Sequence, residues 1–300
     1  MKTDNSIVGI SFSETDKFLC QYVDFLATKI PINTVNNLYL FTARNLFMDL
    51  QRATNDKAGK LLLKSFEGKM EKDIKNLYPH IKNVNYYAKP GSFVSTFQRF
   101  LQNIKTDLVF IGKGKDSQGA MAKLTVSHIP AHVMIVPEGA QHKLNRILVV
   151  MDESGFSKTV LHSTLEISSK INPRPEITCL YISHLSYFIK LENAINEGYQ
   201  MLKNEELDWN SQKIFEKEKA DFEKFVSDYS SDFDMKVTAK AVFEARPKPY
   251  LALMDYLNEN ETDLLVMSDR NHSGLNTHIL GRFTEKIITV NKKVPMLVVK

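Results

Sequence analysis

Thr106-Asp107-Leu108-Val109-Phe110-Ile111 and Thr262-Asp263-Leu264-Leu265-Val266-Met267 are two versions of one pattern, 156 residues apart in a chain of 300. Each is a Thr-Asp pair followed by a short aliphatic run, the form of a strand buried on both faces. Working outward, Leu38-Tyr39-Leu40-Phe41 corresponds to Leu180-Tyr181-Ile182-Ser183 at an offset of 142, and Ile7-Val8 to Ile147-Leu148 at 140. An internal repeat fixes the domain count before any element is assigned. The growing offset means that the second copy carries extra residues, mostly within 185–230, between its second and third strands. Val133-Met134-Ile135-Val136-Pro137 closes the first copy, a polar stretch at 138–145 links, and Arg146-Ile147-Leu148-Val149-Val150 opens the second. Two domains are therefore expected, at 1–140 and 146–300.

Short apolar runs alternate with amphipathic stretches in both copies, the pattern of parallel strands joined by helices. In the second copy the predicted strands are 147–151, 177–182, 236–242, 264–267 and 296–299; in the first they are 7–10, 38–41, 84–88, 108–111 and 133–136. Phe215, Phe222, Phe225 and Val226 form one apolar helical stripe between strands, which reads as core packing. Five strands and four helices per copy predict an α/β class of two tandem five-stranded parallel sheets, flavodoxin-like or related. Any ligand crevice is then expected at the strands' carboxyl ends.

Composition narrows the function classes. Hydrophobic residues make up 43% and charged residues 25%, ordinary for a well-cored globular chain. The net charge of +4 comes with Lys and Glu interleaved, as in Glu216-Lys217-Glu218-Lys219, so no single-sign surface for nucleic acid is expected. No apolar run approaches the roughly 20 residues of a membrane span, and the opening Met1-Lys2-Thr3-Asp4-Asn5-Ser6 has no signal-peptide core, so a cytoplasmic chain without a membrane partner is expected. Cys20 and Cys179 lie in apolar segments without partners at metal-ligand spacing and read as reduced, buried thiols.

The stretch from Thr262 to Ser268, then His272-Ser273-Gly274-Leu275, Ile279-Leu280-Gly281-Arg282-Phe283-Thr284 and Val294-Pro295-Met296-Leu297-Val298-Val299, resembles the carboxyl-terminal signature of the universal stress protein family. The first copy repeats it faintly, with Gly112, Gly119 and Pro130 in the matching roles. The resemblance implies the adenine nucleotide alpha hydrolase-like fold in tandem. It further implies that the copies pack as a pseudo-dimer in which the two last strands pair or pack, with a further homodimer left open.

It also implies where a nucleotide would lie. ATP-binding relatives carry Gly-x-x-Gly, nine residues, Gly, then Ser or Thr, because glycine lets backbone amides approach phosphate and a helix start offers unpaired N–H groups. In the second copy Ser268 and Asn271 stand at the first two glycine positions, Gly281 keeps the third, and Arg282 replaces the hydroxyl. Arg282 could grip a phosphate with its planar fork or fill the pocket with its bulk. Asp152 matches the family's acidic residue in the crevice, and Ile182, Val242, His272, Phe283 and Thr284 complete the candidate set. The first copy is further eroded: Gly112 and Gly119 are only seven residues apart, Ala120 replaces the hydroxyl and Phe12 stands near the acidic position. Gly112-Lys113-Gly114-Lys115 remains a small, positive candidate for an anion.

Catalytic arrangements are scarce. Pro130 between His128 and His132 ends the helix that a metal pair would need. Ser154, Ser157 and His162 near Asp152 lack a nucleophile elbow, and neither a full phosphate-binding loop nor Gly-x-Gly-x-x-Gly follows a first strand. His272 and His278 flank the loop and could hydrogen-bond a phosphate, exposed loop histidines without a role being the simpler reading; Trp209 in the inserted stretch reads as a packing anchor for the extra helix, with a partner contact as the alternative. The expectation is a non-enzymatic stress-response protein with no catalytic residue, no metal and no required cofactor, and with ATP, AMP or phosphate as the candidate ligand of the second domain. The alternatives are a ligand-free protein-interaction module of the same fold and a weak ATP hydrolase.

Overall fold

The computed structural model describes residues 3–54, 56–106, 108–151, 156–183, 211–244, 246, 248–269 and 281–300. Strands β1 (Asn5–Ile10), β2 (Thr34–Phe41), β3 (Asn83–Pro90), β4 (Leu108–Lys113) and β5 (His132–Pro137) form the first half; β6 (Arg146–Met151), β7 (Glu176–Ser183), β8 (Val237–Phe243), β9 (Leu264–Ser268) and β10 (Met296–Val299) form the second. They make one ten-stranded sheet in the order β3-β2-β1-β4-β5-β10-β9-β6-β7-β8. Counted within its own half, each set runs 3-2-1-4-5, and the two sets meet at their fifth strands.

All pairings within a half are parallel. At the junction β5 and β10 run antiparallel, Met134 opposite Leu297 and Val133 opposite Val298. The expected contact between last strands is therefore a direct pairing. The order differs from the flavodoxin-like 2-1-3-4-5 and matches the other doubly wound arrangement, whose winding reverses between its first and fourth strands.

Side chains alternate across the strands, so two cores form, one on each face. On one face α1 (Thr15–Ala27), α3 (Lys57–Ile74), α6 (Phe156–Ser168) and α7 (Ser211–Ser230) cover Val8, Phe110, Met134, Val149, Val266 and Leu297. On the other, α4 (Phe93–Ile104), α5 (Ala120–His128), α8 (Tyr250–Glu259) and α9 (Arg282–Val290) cover Ile7, Val109, Val133, Leu148, Leu265 and Val298. Each core runs through both halves without a break. Phe222 and Val226 of the expected stripe are buried in the first of them, with Phe225 packed alongside.

Some element bounds depart from the sequence reading. A short helix α2 (Arg44–Ala53) precedes α3 between β2 and β3, so among the described residues the first half has five α-helices where four were expected. β2 begins at Thr34, four residues before the predicted apolar run, because Asn36 and Asn37 are buried strand residues with partners. Asn36 Nδ2 donates to Asn5 Oδ1 (2.6 Å), Asn85 Nδ2 donates to Asn36 Oδ1 (3.1 Å), and the Tyr78 hydroxyl donates to Asn37 Oδ1 (2.7 Å). α5 ends at His128, as Pro130 requires.

Candidate functional site

The winding reverses between β1 and β4 and between β6 and β9, and such a reversal is where a crevice is expected at the strands' carboxyl ends. In the first half it is a cavity of about 560 Å³ lined by the ends of β1, β2 and β4 and the start of α5.

The sequence reading placed Phe12 near the acidic position here. Phe12 adopts φ +58 and sends its ring onto Tyr39 (4.6 Å between centroids) and Phe66 (5.9 Å), on the α3 side of the sheet. A carboxylate arrives instead from Asp16, in the first turn of α1. Asp16 accepts the Ser11 amide on both oxygens (3.2 Å), the Ser11 hydroxyl (2.9 Å) and the Ser13 amide (3.1 Å). Burial raises its pKa above the ordinary aspartate value, and these hydrogen bonds oppose the rise. Sequence reasoning passed over Asp16, although Ser13-x-x-Asp16 has the spacing of a helix-opening cap in which the acid accepts an amide of the preceding turn.

The expected anion loop of the first half is closed upon itself. The Lys115 amide donates to Glu138 Oε2 (3.1 Å), the Ser117 amide to the Gly114 carbonyl (3.0 Å) and the Gly119 amide to the Ser117 hydroxyl (3.0 Å). A carboxylate of the same chain thus holds an amide that a phosphate would need. Gly112 is crowded: a Cβ there would lie 2.7 Å from Thr15 Cγ2. Gly119 takes φ +72, and a Cβ would lie 2.8 Å from Ile288 Cγ2 in the other half. Its glycine is required by contact between halves, whatever else the loop does.

Lys113 turns out of the crevice altogether. Its buried Nζ donates to the carbonyls of Ile288, Thr289 (3.2 Å) and Asn291 (2.6 Å), where α9 ends. An ammonium at a helix carboxyl end meets unpaired carbonyls and the negative end of the dipole. Burial, and then the nearby Lys292 and Lys123, bring its pKa down to about 8. A second lysine answers from the other half: Lys300 Nζ donates to the Val126 carbonyl in the last turn of α5 and to Asp269 Oδ2 (2.6 Å). The junction is held from both sides.

In the second half Ser268 ends β9, and the Gly281 amide donates to the Asp269 carbonyl (3.1 Å), which sets the start of α9 against the strand end. Gly281 has φ −58 and ψ 134, an extended cap that any residue could adopt. Arg282 is exposed at the first helical position, and Phe283 packs against the core. Thr284 is buried, and its hydroxyl donates to the Ser268 carbonyl (3.0 Å), tying helix to strand. Ile182 and Val242 are register partners near the carboxyl ends of β7 and β8. The structure therefore gathers Ser268, Gly281, Arg282, Phe283 and Thr284 at one strand end. Asp152, Asn271 and His272 lie outside the described residues, as do Ser154, Trp209 and His278.

One group on this rim had no sequence signal. Glu244, buried just past β8, accepts Arg246 Nε on both oxygens (2.8 and 3.0 Å) and Arg246 Nη2 (2.5 Å), and Arg246 also reaches Asp255 (2.7 Å). The two carboxylates raise the arginine's pKa further. Among the described residues no cluster of three or more His, Cys, Asp or Glu could hold a metal ion, and no helix is long and apolar enough to cross a membrane. Both cysteines are buried thiols, as expected.

No curated protein matches the chain in sequence. In structure it is similar over its whole length to a universal stress protein from Archaeoglobus fulgidus DSM 4304, at 16% identity and TM-score 0.67, covering 100% of this chain and 99% of that one. A putative universal stress protein from Pseudomonas aeruginosa UCBPP-PA14 follows at 13% identity and TM-score 0.57, covering 99% and 93%. A functionally unknown protein from Pseudomonas aeruginosa PAO1 is also similar, at 13% identity and TM-score 0.59, covering 99% and 92%. At such identities the likeness speaks for the fold. The universal stress protein family model matches residues 143–300, more than half of the sequence. With that match added to a strand order that recurs in both halves, the chain belongs to the universal stress protein family.

Proposed function

We propose that the chain is a non-enzymatic, cytoplasmic universal stress protein of two domains, residues 1–140 and 146–300, packed as a pseudo-dimer, and that its second domain binds a nucleotide or a simpler anion. ATP, AMP and inorganic phosphate are the candidate ligands. The reading rests on the start of α9. Gly281 has no side chain with which to cap the first amides of that helix, and the exposed Arg282 stands beside them at the carboxyl end of β9. Unpaired amides, the positive end of a helix and a guanidinium favour an anion together. The first domain acts as the structural partner, since its loop amides and Lys113 have partners within the chain.

Thermal unfolding with Mg-ATP, AMP or phosphate tests this. A ligand at a hundred times its dissociation constant adds roughly 2.7 kcal/mol to stability. The Arg282→Ser variant is expected to lose most of that gain. A gain enhanced by the substitution would show that the arginine blocks the site, and no gain with any ligand in either protein would favour the ligand-free interaction module. Phosphate release from Mg-ATP that persists through purification would favour the weak hydrolase.

A further inference from the structure

The first-half cavity is a built space whose chemistry is unsuited to phosphate. Its back wall is apolar: Leu38, Phe97 and Ile111 are buried there, and Leu40, Phe93 and Met121 carry the same face toward the mouth. Met121 is 49% exposed. The lining also carries hydroxyls from Ser11, Ser13, Thr15, Thr42 and Ser117. Among the described residues the one charged side chain lining it is Asp16, an acid, and none is basic. An anion placed here would give up its water next to a carboxylate and without a cation to replace that water, the first amides of α5 being the one counterweight. An uncharged ring system would bury apolar surface against Leu40, Phe93 and Met121 and meet hydroxyls at one end. The volume of about 560 Å³ lies within the range of small-molecule sites.

We propose that the first-half crevice is a separate binding site for an uncharged, mostly apolar small molecule with a hydrogen-bonding end. Nothing in this depends on whether the second half binds an anion.

The test uses the full chain and the uncharged dye Nile red as probe. Saturable, one-to-one fluorescence enhancement is expected, unchanged by millimolar Mg-ATP and unchanged in Arg282→Ser. Ala120→Trp, an exposed position at the cavity mouth, fills the space and is expected to weaken dye binding at least tenfold; Leu40→Glu, which brings a charge to the apolar wall, is expected to do the same. Circular dichroism confirms that both variants fold. Dye binding that is unsaturable, that survives both substitutions in folded protein, or that Mg-ATP displaces competitively would overturn the proposal. Failure of ATP to stabilise the wild type, with dye binding intact, would sink the anion reading alone.

Discussion

Lys113→Met removes the one side chain by which the end of β4 grips α9 across the junction. Its Nζ serves three carbonyls, and its bonds to Ile288 and Asn291 are buried. A buried acceptor left without a donor costs about 1–3 kcal/mol. Two such carbonyls, offset in part because a desolvated ammonium is no longer buried, put the loss near 3 kcal/mol. With an unfolding entropy of roughly 2.1 cal/mol/K per residue, about 0.6 kcal/mol/K for 300 residues, the melting temperature should fall by about 5 °C.

Acidity supplies a second readout. The pKa of Lys113 is brought down to about 8 from an ordinary 10.5, so between those values the unfolded chain binds more protons than the native one at this position. Stability must then rise with pH across that window, by an amount that Lys113→Met lacks. The gap between wild type and variant should widen from pH 8 to 10.5; taking the difference cancels the titrations common to both. Calorimetry at a series of pH values measures it. A variant melting within about 1 °C of wild type at neutral pH, or a gap that narrows on alkalisation, would show that the carbonyls are satisfied some other way.

Two further outcomes follow from the same packing. Gly119→Ala combines a left-handed backbone with a Cβ 2.8 Å from Ile288 Cγ2, and should cost about 2–4 kcal/mol in urea unfolding with no ligand present, whereas Gly114→Ala, whose nearest contact is 3.4 Å, should cost less than 1 kcal/mol. Cys20 and Cys179 are pushed up to about 12 by burial, so neither should react with a thiol reagent at pH 8 in the native protein and both should react fully in denaturant; labelling of the native protein at the rate of free cysteine would contradict the packing.

The repeat and most strands were legible because a parallel sheet covered on both faces demands aliphatic runs, and those are what Thr106 and Thr262 introduce. β2 was read too short for the opposite reason. Asn36 and Asn37 look like a break until β1 and β3 supply Asn5 and Asn85 as partners, and that pairing exists only in three dimensions. Lys113 shows the same limit at the site. In sequence it lies between two glycines and suggests an anion loop, yet its acceptors are more than 170 residues away. Asp16 is a different case, since the cap spacing that announces it was present all along.

The alignment that pairs Thr106 with Thr262 also sets Lys113 against Asp269. Two separate identical subunits meeting about a two-fold axis must carry the same residue at both places, lysine facing lysine's counterpart or acid facing acid's. Joining the halves in one polypeptide lifts that obligation: one side inserts an ammonium into the neighbouring helix end, and the other holds a carboxylate that receives Lys300. A covalently joined pair is free to let its two halves differ in this way, which two copies of one chain are not.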